Sequence, residues 1–464
     1  MKKEKIKIDR KSFYKSVLFL VIPMALQNLI DVGVMAADVF MLGRVGETAL
    51  SGASLAGQIY YVMNLFLFGL TSGATVLTAQ YWGKRDKDTI EKILALGMKA
   101  AVTVTSLFMI AAFMIPHRLI GVFTKDIAVI NEGVIYLRII ACSFIITGII
   151  QTYLLVMRSV ERVVAPTIIY FISFVCNVIL NAVLIFGYIG FPALGVAGAA
   201  LGTLISRIIQ LILVFGYAKI FNKDIKFRVK YFIHCEKWLV KDFLIYALPV
   251  VLNEVLWGLG GSANTAILGH LGSSAVAANS VAQVARQLAT VVSFGVSTAT
   301  AIYLGKTIGE NKREEAKEYA KRFIIISVIL GIGGGILILS STPFVLSAMA
   351  LTPTAKKYLR FMFFVMSYFV VAQSYNSTMV VGIFRAGGDT AYGLLMDVIA
   401  MWGFAVTLGA VAAFGLKWSV PAVYVILMSD ELVKIPLDTV RYKKYIWLRD
   451  ITKEKDQQKN IKMN

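Results

Sequence analysis

Hydrophobic and polar positions in this chain alternate on the scale of whole helices. Twelve apolar stretches of more than 20 residues are separated by short polar segments, and each is long enough to cross the hydrocarbon core of a bilayer as a helix. A soluble protein with two or three buried cores would not contain twelve such runs. The sequence therefore predicts an all-α membrane protein with spans at 16–42, 53–81, 93–115, 131–156, 164–187, 195–219, 244–268, 278–304, 321–341, 357–383, 390–414 and 417–440.

The chain also repeats itself. When its first half is shifted by 226 residues, positions such as Pro23, Gly46 and Gly83 fall on Pro249, Gly272 and Gly309 without a gap. Each copy holds six spans, an even number, so the second copy inserts in the same orientation as the first. We expect two six-helix lobes related by a pseudo-two-fold axis along the membrane normal. The predicted divisions are an N-terminal lobe at 1–218, a basic cytoplasmic linker at 219–243, a C-terminal lobe at 244–440 and a basic cytoplasmic tail at 441–464.

Composition supports a membrane protein, and charge predicts its orientation. Hydrophobic residues make up 58% of the chain, and its net charge is +20. Of the 47 Lys and Arg residues, 37 fall on one side of the predicted membrane and 8 on the other. By the positive-inside rule, both termini and the linker face the cytoplasm, and the basicity indicates topology and not a nucleic-acid surface. The 37 are those of 1–15, 83–99, 158–162, 219–241, 305–322, Arg385 and the tail from Lys434.

Polar residues inside the apolar spans are the main candidates for function, because a charge at membrane depth costs roughly 2.5–3.5 kcal/mol on insertion scales. Asp31 and Asp38 lie almost two turns apart in the first span, so both carboxylates share one stripe. Asn177 and Asn181 lie one turn apart in the fifth span. The other candidates are Glu254 in the seventh span, Asp397 in the eleventh, Asp430 and Glu431 in the middle of the twelfth, and Arg207 and Arg286 in the sixth and eighth.

Each candidate also has a structural alternative. The asparagines could serve only as hydrogen bonds between helices. Asp38 and Glu254 could each form a buried ion pair with an arginine, and Arg207 and Arg286 are expected to neutralise acids and not to contact substrate. The three cysteines and three histidines show no metal-binding spacing, so we expect no metal cofactor.

Several stretches together resemble one transporter family. The segment IPMALQNLIDVGVMAADVFMLGRVGETALSGASLA is similar to the opening of the MATE (multidrug and toxic compound extrusion) proteins, and LPVVLNEVLWGLGGSANTAILGHLGSSAVAANSVA is similar to the start of their second lobe. In that pattern a Pro begins the first helix, an Asp precedes a Gly-x-x-Gly turn, and an Ala-rich helix follows. Further matching stretches, in the same order between about residues 14 and 450, are FGLTSGATVLTAQYWGKRD, YLRII, NVILNAVLIFG with LGVAGAALGT, and FRAGGDT.

The resemblance implies efflux of organic cations or drugs, driven by inward flow of H+ or Na+, through a cleft between two lobes. It assigns Asp38 as the ion-coupling carboxylate, and Asn177 and Asn181 as the polar pair of the fifth helix. Related members often carry Asp at the position of Asn181, so the coupling ion stays open. Glu254 matches an acid found in part of the family, whereas Asp31 is outside the pattern.

Two coupling chemistries fit these residues. Desolvation in an apolar cavity favours a protonated carboxyl, so Asp38 could take up a proton outside and release it inside. Alternatively, ionised Asp38 and the amide oxygens of Asn177 and Asn181 could hold Na+.

The second half has its acids at another depth. Under the repeat, Asp38 falls on Asn264, and Asn28 falls on Glu254. We therefore predict that Glu254, helped by Asp397, attracts the cationic substrate, with Trp257 available for cation–π contact. The expected partners are small organic cations and membrane lipids, the expected state is a monomer, and no enzymatic activity is expected.

Three other functions fit the sequence less well. A lipid-linked oligosaccharide flippase of the same superfamily has similar topology but needs a more cationic cavity. A major facilitator carrier is disfavoured because the loop GKRDKDTIEK lacks that family's Asp-Arg-x-Gly-Arg-Arg type of motif. A membrane-embedded enzyme is disfavoured because no His or Cys cluster offers a catalytic centre.

Overall fold

The computed structural model describes residues 10–349 and 351–452, and within these ranges the regular structure is helical, with no strand. Each of the twelve predicted spans coincides with a helix or with a run of helical segments. The first six are α1 Arg10–Val45, α2 Glu47–Gly83, α3 Lys87–Met114, α4 Ile127–Ala141 with Phe144–Ser159, α5 Val164–Phe186 and α6 Gly195–Phe221. The second six are α7 Lys237–His270, α8 Ser273–Gly309, α9 Arg313–Ala348, α10 Pro353–Ser377 with Thr378–Phe384, α11 Thr390–Gly415, and α12 Val420–Leu427 with Asp430–Lys443.

Length and apolarity mark most of these as membrane spans. Among the described residues, nine helices pass both criteria, and α4 is a tenth span if its two segments, bent by 50°, count as one. The helix α10 is not among them, and α12 is interrupted between Leu427 and Asp430, which leaves two pieces of 8 and 14 residues. The all-α, twelve-helix prediction is confirmed.

Irregular helical turns occur where the later helices carry polar groups. In α10 the segment Thr378–Phe384 is π-helical and directly precedes Arg385. In α11 the segment Val398–Val406 is π-helical and directly follows Asp397. Such widened turns are rare in proteins overall, but those that occur often lie at functional sites. They change the direction of the side chains beside them.

The described residues form two compact units. One consists of Leu26–Thr78 and Asp86–Ala247, and its core contains Leu42, Met63, Leu137 and Ala200. The other consists of Ala79–Arg85 and the described parts of Met1–Ala25 and Leu248–Asn464, with a core that contains Phe363, Met366 and Tyr424.

In the second unit, the segment after α12 is held against the ends of other helices. Trp447 is fully buried, and Gly387 lies so close to its backbone that no side chain would fit there. The Gln80 amide donates to the carbonyls of Ala386 (2.7 Å) and Arg449 (3.0 Å) and accepts from the Ile451 N–H (2.9 Å). One buried side chain thus ties α2 to two later segments.

In the first unit, the linker between α6 and α7 packs on the start of α3. Glu91 accepts from the Lys226 N–H at 2.9 Å and pairs with Arg228 at 2.7 Å. Lys92 pairs with Glu236 at 3.1 Å. The linker is therefore anchored by polar contacts to one helix end.

Candidate ion-coupling and substrate sites

In the first unit, α1 and α5 are joined by a carboxylate–amide contact. The Asn181 Nδ2 group donates to Asp38 Oδ1 at 2.6 Å, and more weakly to Asn177 Oδ1 at 3.4 Å. The Asn177 amide in turn donates to Thr203 of α6 at 3.3 Å. The three residues predicted as the coupling site therefore lie together, because α5 turns its two asparagines toward α1 and α6.

The far side of Asn181 has an unsatisfied acceptor. Asn181 is fully buried, and its Oδ1 atom has no hydrogen-bond partner. Gly202 makes room for this oxygen, because a Cβ atom at that position would collide with it. A buried acceptor without a donor costs free energy. The site can therefore accommodate a bound cation or a protonated donor beside this oxygen.

A small cavity continues from this site. Its volume is about 20 Å³, enough for one water molecule or a small cation, and Asn177 and Thr203 lie on its wall. Arg207, also on the wall, donates to Gln210 at 2.7 Å and to the Tyr60 hydroxyl at 3.4 Å. The polar groups that line the cavity are Asp31, Tyr170, Ser173, Asn177, Thr203, Ser206 and Arg207.

In the second unit, the predicted acids are paired with internal cations. Glu254 of α7 forms an ion pair with Arg385 at 2.7 Å. Arg385 also donates to the side-chain oxygen Oδ1 of Asn253 at 3.1 Å, and the side-chain amide nitrogen of Asn253 donates to Asp397. Asn253 thus connects Glu254 and Asp397, the two acids predicted for this half, in one network.

A buried ammonium group lies at the centre of this network. Lys434 Nζ is 2.5 Å from Asp397, 3.3 Å from Glu431 and 3.5 Å from Asp430, and the residue is only 2% exposed. Asn376 donates to Glu431 at 2.8 Å. Because Asp430 and Glu431 begin the second segment of α12, their charges also complement the positive end of that helix.

Other sequence candidates lie outside these contacts. Trp257 is half-buried on α7, one turn after Glu254, and Trp402 donates to the neighbouring Leu256 carbonyl at 3.1 Å. Arg286 donates to Gln283, one turn earlier in α8, at 2.8 Å.

Two assignments from the charge count need correction. The count places Arg385 and Lys434 among the cytoplasmic cations, but they are 3% and 2% exposed and pair with membrane-depth acids. Asp430 and Glu431 are predicted in mid-helix, but they follow a break. The spacing of DELVKIPLD, with charges at 430, 431, 434 and 438, marks one helix face and is the signal in the sequence that indicates the cluster.

No group of three or more His, Cys, Asp or Glu side chains that could hold a metal ion occurs within 10–349 and 351–452. In the second half an ammonium group lies among the acids instead.

Two repeats of apolar helices with buried polar centres define a membrane transporter of duplicated architecture. A family model, MatE, matches residues 23–183 and again 249–411, with the two starts 226 residues apart. These matches cover well over half of the chain, so the chain belongs to the MatE family, the MATE multidrug efflux transporters. This double match also confirms the internal repeat.

Curated relatives extend over nearly the whole chain. The uncharacterized transporter YisQ of Bacillus subtilis is 21% identical over 89% of this chain and 90% of its own length. The probable multidrug resistance protein YoeA of the same organism is 23% identical, over 95% and 96%. A probable multidrug resistance protein NorM of Thermotoga maritima is 23% identical, over 84% and 83%.

Solved structures share the fold. A MOP superfamily transporter from Pyrococcus furiosus, described as having a binding pocket of reverse polarity, superposes with a TM-score of 0.86 at 16% identity, over 94% of this chain and 96% of its own. The eukaryotic MATE transporter AtDTX14 gives 0.83 at 15% identity, over 94% and 97%.

Proposed function

We propose that this MATE transporter is a secondary active antiporter, which exports organic cations or drugs in exchange for H+ or Na+ by alternating access. The observation that carries the proposal is the Asp38–Asn181 contact beside an unpartnered buried oxygen. A carboxylate and two amide oxygens within one small polar region can bind either a proton or a monovalent cation.

Asp38, Asn177 and Asn181 are proposed as the ion-coupling residues. Binding a cation neutralises Asp38 and completes the coordination of Asn181, whereas loss of the cation restores a buried charge. The two states differ in polarity, and a difference of this kind lets an ion favour one conformation over another.

Glu254, Asp397 and Trp257 are proposed as the substrate-side residues. Both acids now hold internal cations, at 2.7 and 2.5 Å, so a cationic substrate must compete with Arg385 or Lys434 for them. Only a substrate that carries a positive charge can replace these cations at the carboxylates. Cationic substrates should therefore bind in preference to neutral ones of similar size.

The lipid-linked oligosaccharide flippase is the alternative. That activity needs cationic groups available to pyrophosphate, whereas Arg385 and Lys434 are each engaged by carboxylates. We also propose that the protein is a monomer in the cell membrane, where it contacts lipids. Both of its termini would face the cytoplasm.

Transport in sealed vesicles tests the function. Purified protein is reconstituted, H+ and Na+ gradients are imposed separately, and accumulation of ethidium, a permanent cation, is followed. We expect one of the two gradients to drive accumulation. No ethidium movement under either gradient, together with translocation of a pyrophosphate-linked lipid, would support the flippase instead.

A further inference from the structure

A buried acid that no function above uses lies one turn beyond Lys434. Asp438 is 0% exposed, and neither of its carboxylate oxygens has a hydrogen-bond partner. It lies within electrostatic range of Lys434, Asp397 and Glu431. A buried carboxylate without a hydrogen-bond partner is costly to keep ionised.

Lys434 can reach acids on both sides of itself along α12. It now contacts Asp430 and Glu431, four and three residues earlier, and Asp438 lies four residues later on the same face. Pairs at spacing of three or four are neighbours on a helix, so a change of side-chain rotamer moves the ammonium from one set to the other. The alternative partner is thus already in place.

The backbone between the two positions is weakened. Pro436 lies inside Asp430–Lys443, between Lys434 and Asp438. A proline within a helix removes one hydrogen bond and loosens the turn before it. This local defect gives Lys434 room to change partners without unfolding the helix.

The charges around Lys434 give a physical reason for a change of partner. Five acids (Glu254, Asp397, Asp430, Glu431 and Asp438) and two cations (Arg385 and Lys434) are connected in this half. An organic cation and the Lys434 ammonium compete for the same Asp397 carboxylate, so the displaced ammonium needs another acid when the cation binds. Asp438 can be that acid once its proton leaves.

We propose that Lys434 is a tethered competitor of the substrate, and that Asp438 is its second partner and the proton donor of the exchange. When an organic cation binds Asp397, the Lys434 ammonium moves to Asp438, which ionises and releases one proton. When the cation leaves, Lys434 returns to Asp397 and Asp438 takes up a proton. The buried charge is unchanged at each step. This inference rests on the proposed export of organic cations.

Other titratable groups face this region. Tyr375 of α10 bonds Thr439 at 2.6 Å, and Tyr392 of α11 donates to the Leu437 carbonyl at 3.0 Å. Further along α12, Arg441 pairs with Asp389 at 2.8 Å. These groups have partners of their own, which leaves Asp438 as the acid available to Lys434.

Infrared difference spectroscopy of the full-length protein tests the exchange without substrate. The wild type should show a protonated-carboxyl band that Asp438→Asn removes. Asp397→Asn removes the carboxylate nearest to Lys434, so the ammonium should move to Asp438 and the band should again be lost. Asp397→Asn combined with Lys434→Met should restore the band, because no ammonium is left to ionise Asp438. Asp389→Asn, the matched control, should leave the band unchanged.

Each other result overturns the proposal. Absence of the Asp438 band in the wild type shows that Asp438 holds no proton, and its persistence in Asp397→Asn shows that Lys434 does not move. If Asp397→Asn fails to fold, Asp397→Ser supplies the same loss of charge.

A binding measurement separates this proposal from the proposed function. Addition of tetraphenylphosphonium to the wild type should abolish the band and release about one proton per protein. Lys434→Met should bind that cation more tightly, on the order of tenfold, and without proton release. A band that responds to Asp397→Asn but to no organic cation keeps the Lys434 exchange and refutes organic cations as the substrate.

Discussion

Gln27 and Asn253 occupy equivalent positions of the two repeats, 226 residues apart, and each donates a side-chain hydrogen bond to the fifth helix of its own half. Gln27 donates to Thr167 of α5, and Asn253 donates to Asp397 of α11. At this level the first half pairs two neutral groups, whereas the second half carries an acid.

The relation is reversed further along the same helices. Asp38 bonds Asn181 in the first half, but its counterpart Asn264 is buried with an unpartnered oxygen. The duplicated scaffold therefore presents its acids at different depths in the two halves. This difference supports separate tasks for Asp38 and for the Asp397–Lys434 centre.

Replacement of Asp38 by Asn should abolish coupled efflux and leave folding nearly intact. The amide preserves volume and can still bond Asn181, but it cannot exchange a proton or neutralise Na+. Dye efflux against a gradient and the yield of monodisperse protein are the measurements. Asp126→Asn is the control, because Asp126 is an exposed helix cap and Asn caps equally well. Wild-type efflux by the Asp38 variant would make this residue structural only.

Replacement of Glu254 by Gln should destabilise the protein by about 3–5 kcal/mol, because it removes the carboxylate that neutralises the buried Arg385. Arg385→Gln in the same protein should restore much of the loss, since no unpaired charge then remains. Thermal unfolding of the two single variants and the double variant forms a cycle that measures the coupling. Strictly additive losses would show that the pair contributes nothing of its own.

The double variant also tests the task of Glu254. Without Glu254 the binding of cationic compounds should weaken much more than that of neutral ones, while ion binding at Asp38 persists. Equal losses for charged and neutral compounds would place Glu254 in the coupling machinery.

Replacement of Gln80 by Leu should lower stability by about 1–3 kcal/mol for each buried partner left unpaired. Three backbone groups, on Ala386, Arg449 and Ile451, lose their bonds at once. Gln151→Leu is the matched control, because the Gln151 amide donates to a single side chain, that of Asn64, at 2.9 Å. Thermal unfolding in detergent compares the two variants, and equal losses would contradict the anchoring role of Gln80.

Acidification should loosen the linker. The hydrogen bond from Lys87, and then that from Arg162, hold the pKa of Asp224 below its ordinary value of 3.8. Because the folded-state pKa is lowered, the stabilisation is complete above pH 3.8 and is lost as the pH falls below it. Wild type and Asp224→Asn should therefore differ in melting temperature at neutral pH and converge in acid. Asp224 is partly exposed and both of its partners lie at the surface, so the difference should be small and should shrink in high salt. A difference that grows in acid would contradict this assignment.

The cytoplasmic location of the linker can be tested with Cys235. In a variant with Ser at 142 and 176, Cys235 is the only thiol. A membrane-impermeant maleimide should label it in inside-out vesicles and leave it unlabelled in right-side-out vesicles. The opposite pattern would reverse the predicted topology.

Much of the fold follows from local sequence. Apolar runs of bilayer length can satisfy their backbone groups only as helices, so the runs by themselves place the twelve spans. The 226-residue repeat is likewise visible in the order of residues, and the membrane-depth positions of Asp38, Asn177 and Asn181 make them candidates. The spacing of the polar residues on α1 and α5 indicates which faces of these helices carry them.

The partners of the acids depend on the tertiary structure. Nothing local to Glu254 indicates Arg385, which is 131 residues away and follows a π-helical segment. Lys434 resembles part of a basic tail because its helix restarts only after the break at 428–429. Sequence spacing determines which residues share a helix face, whereas the packing of α7, α10, α11 and α12 decides which opposite charges meet in the protein interior.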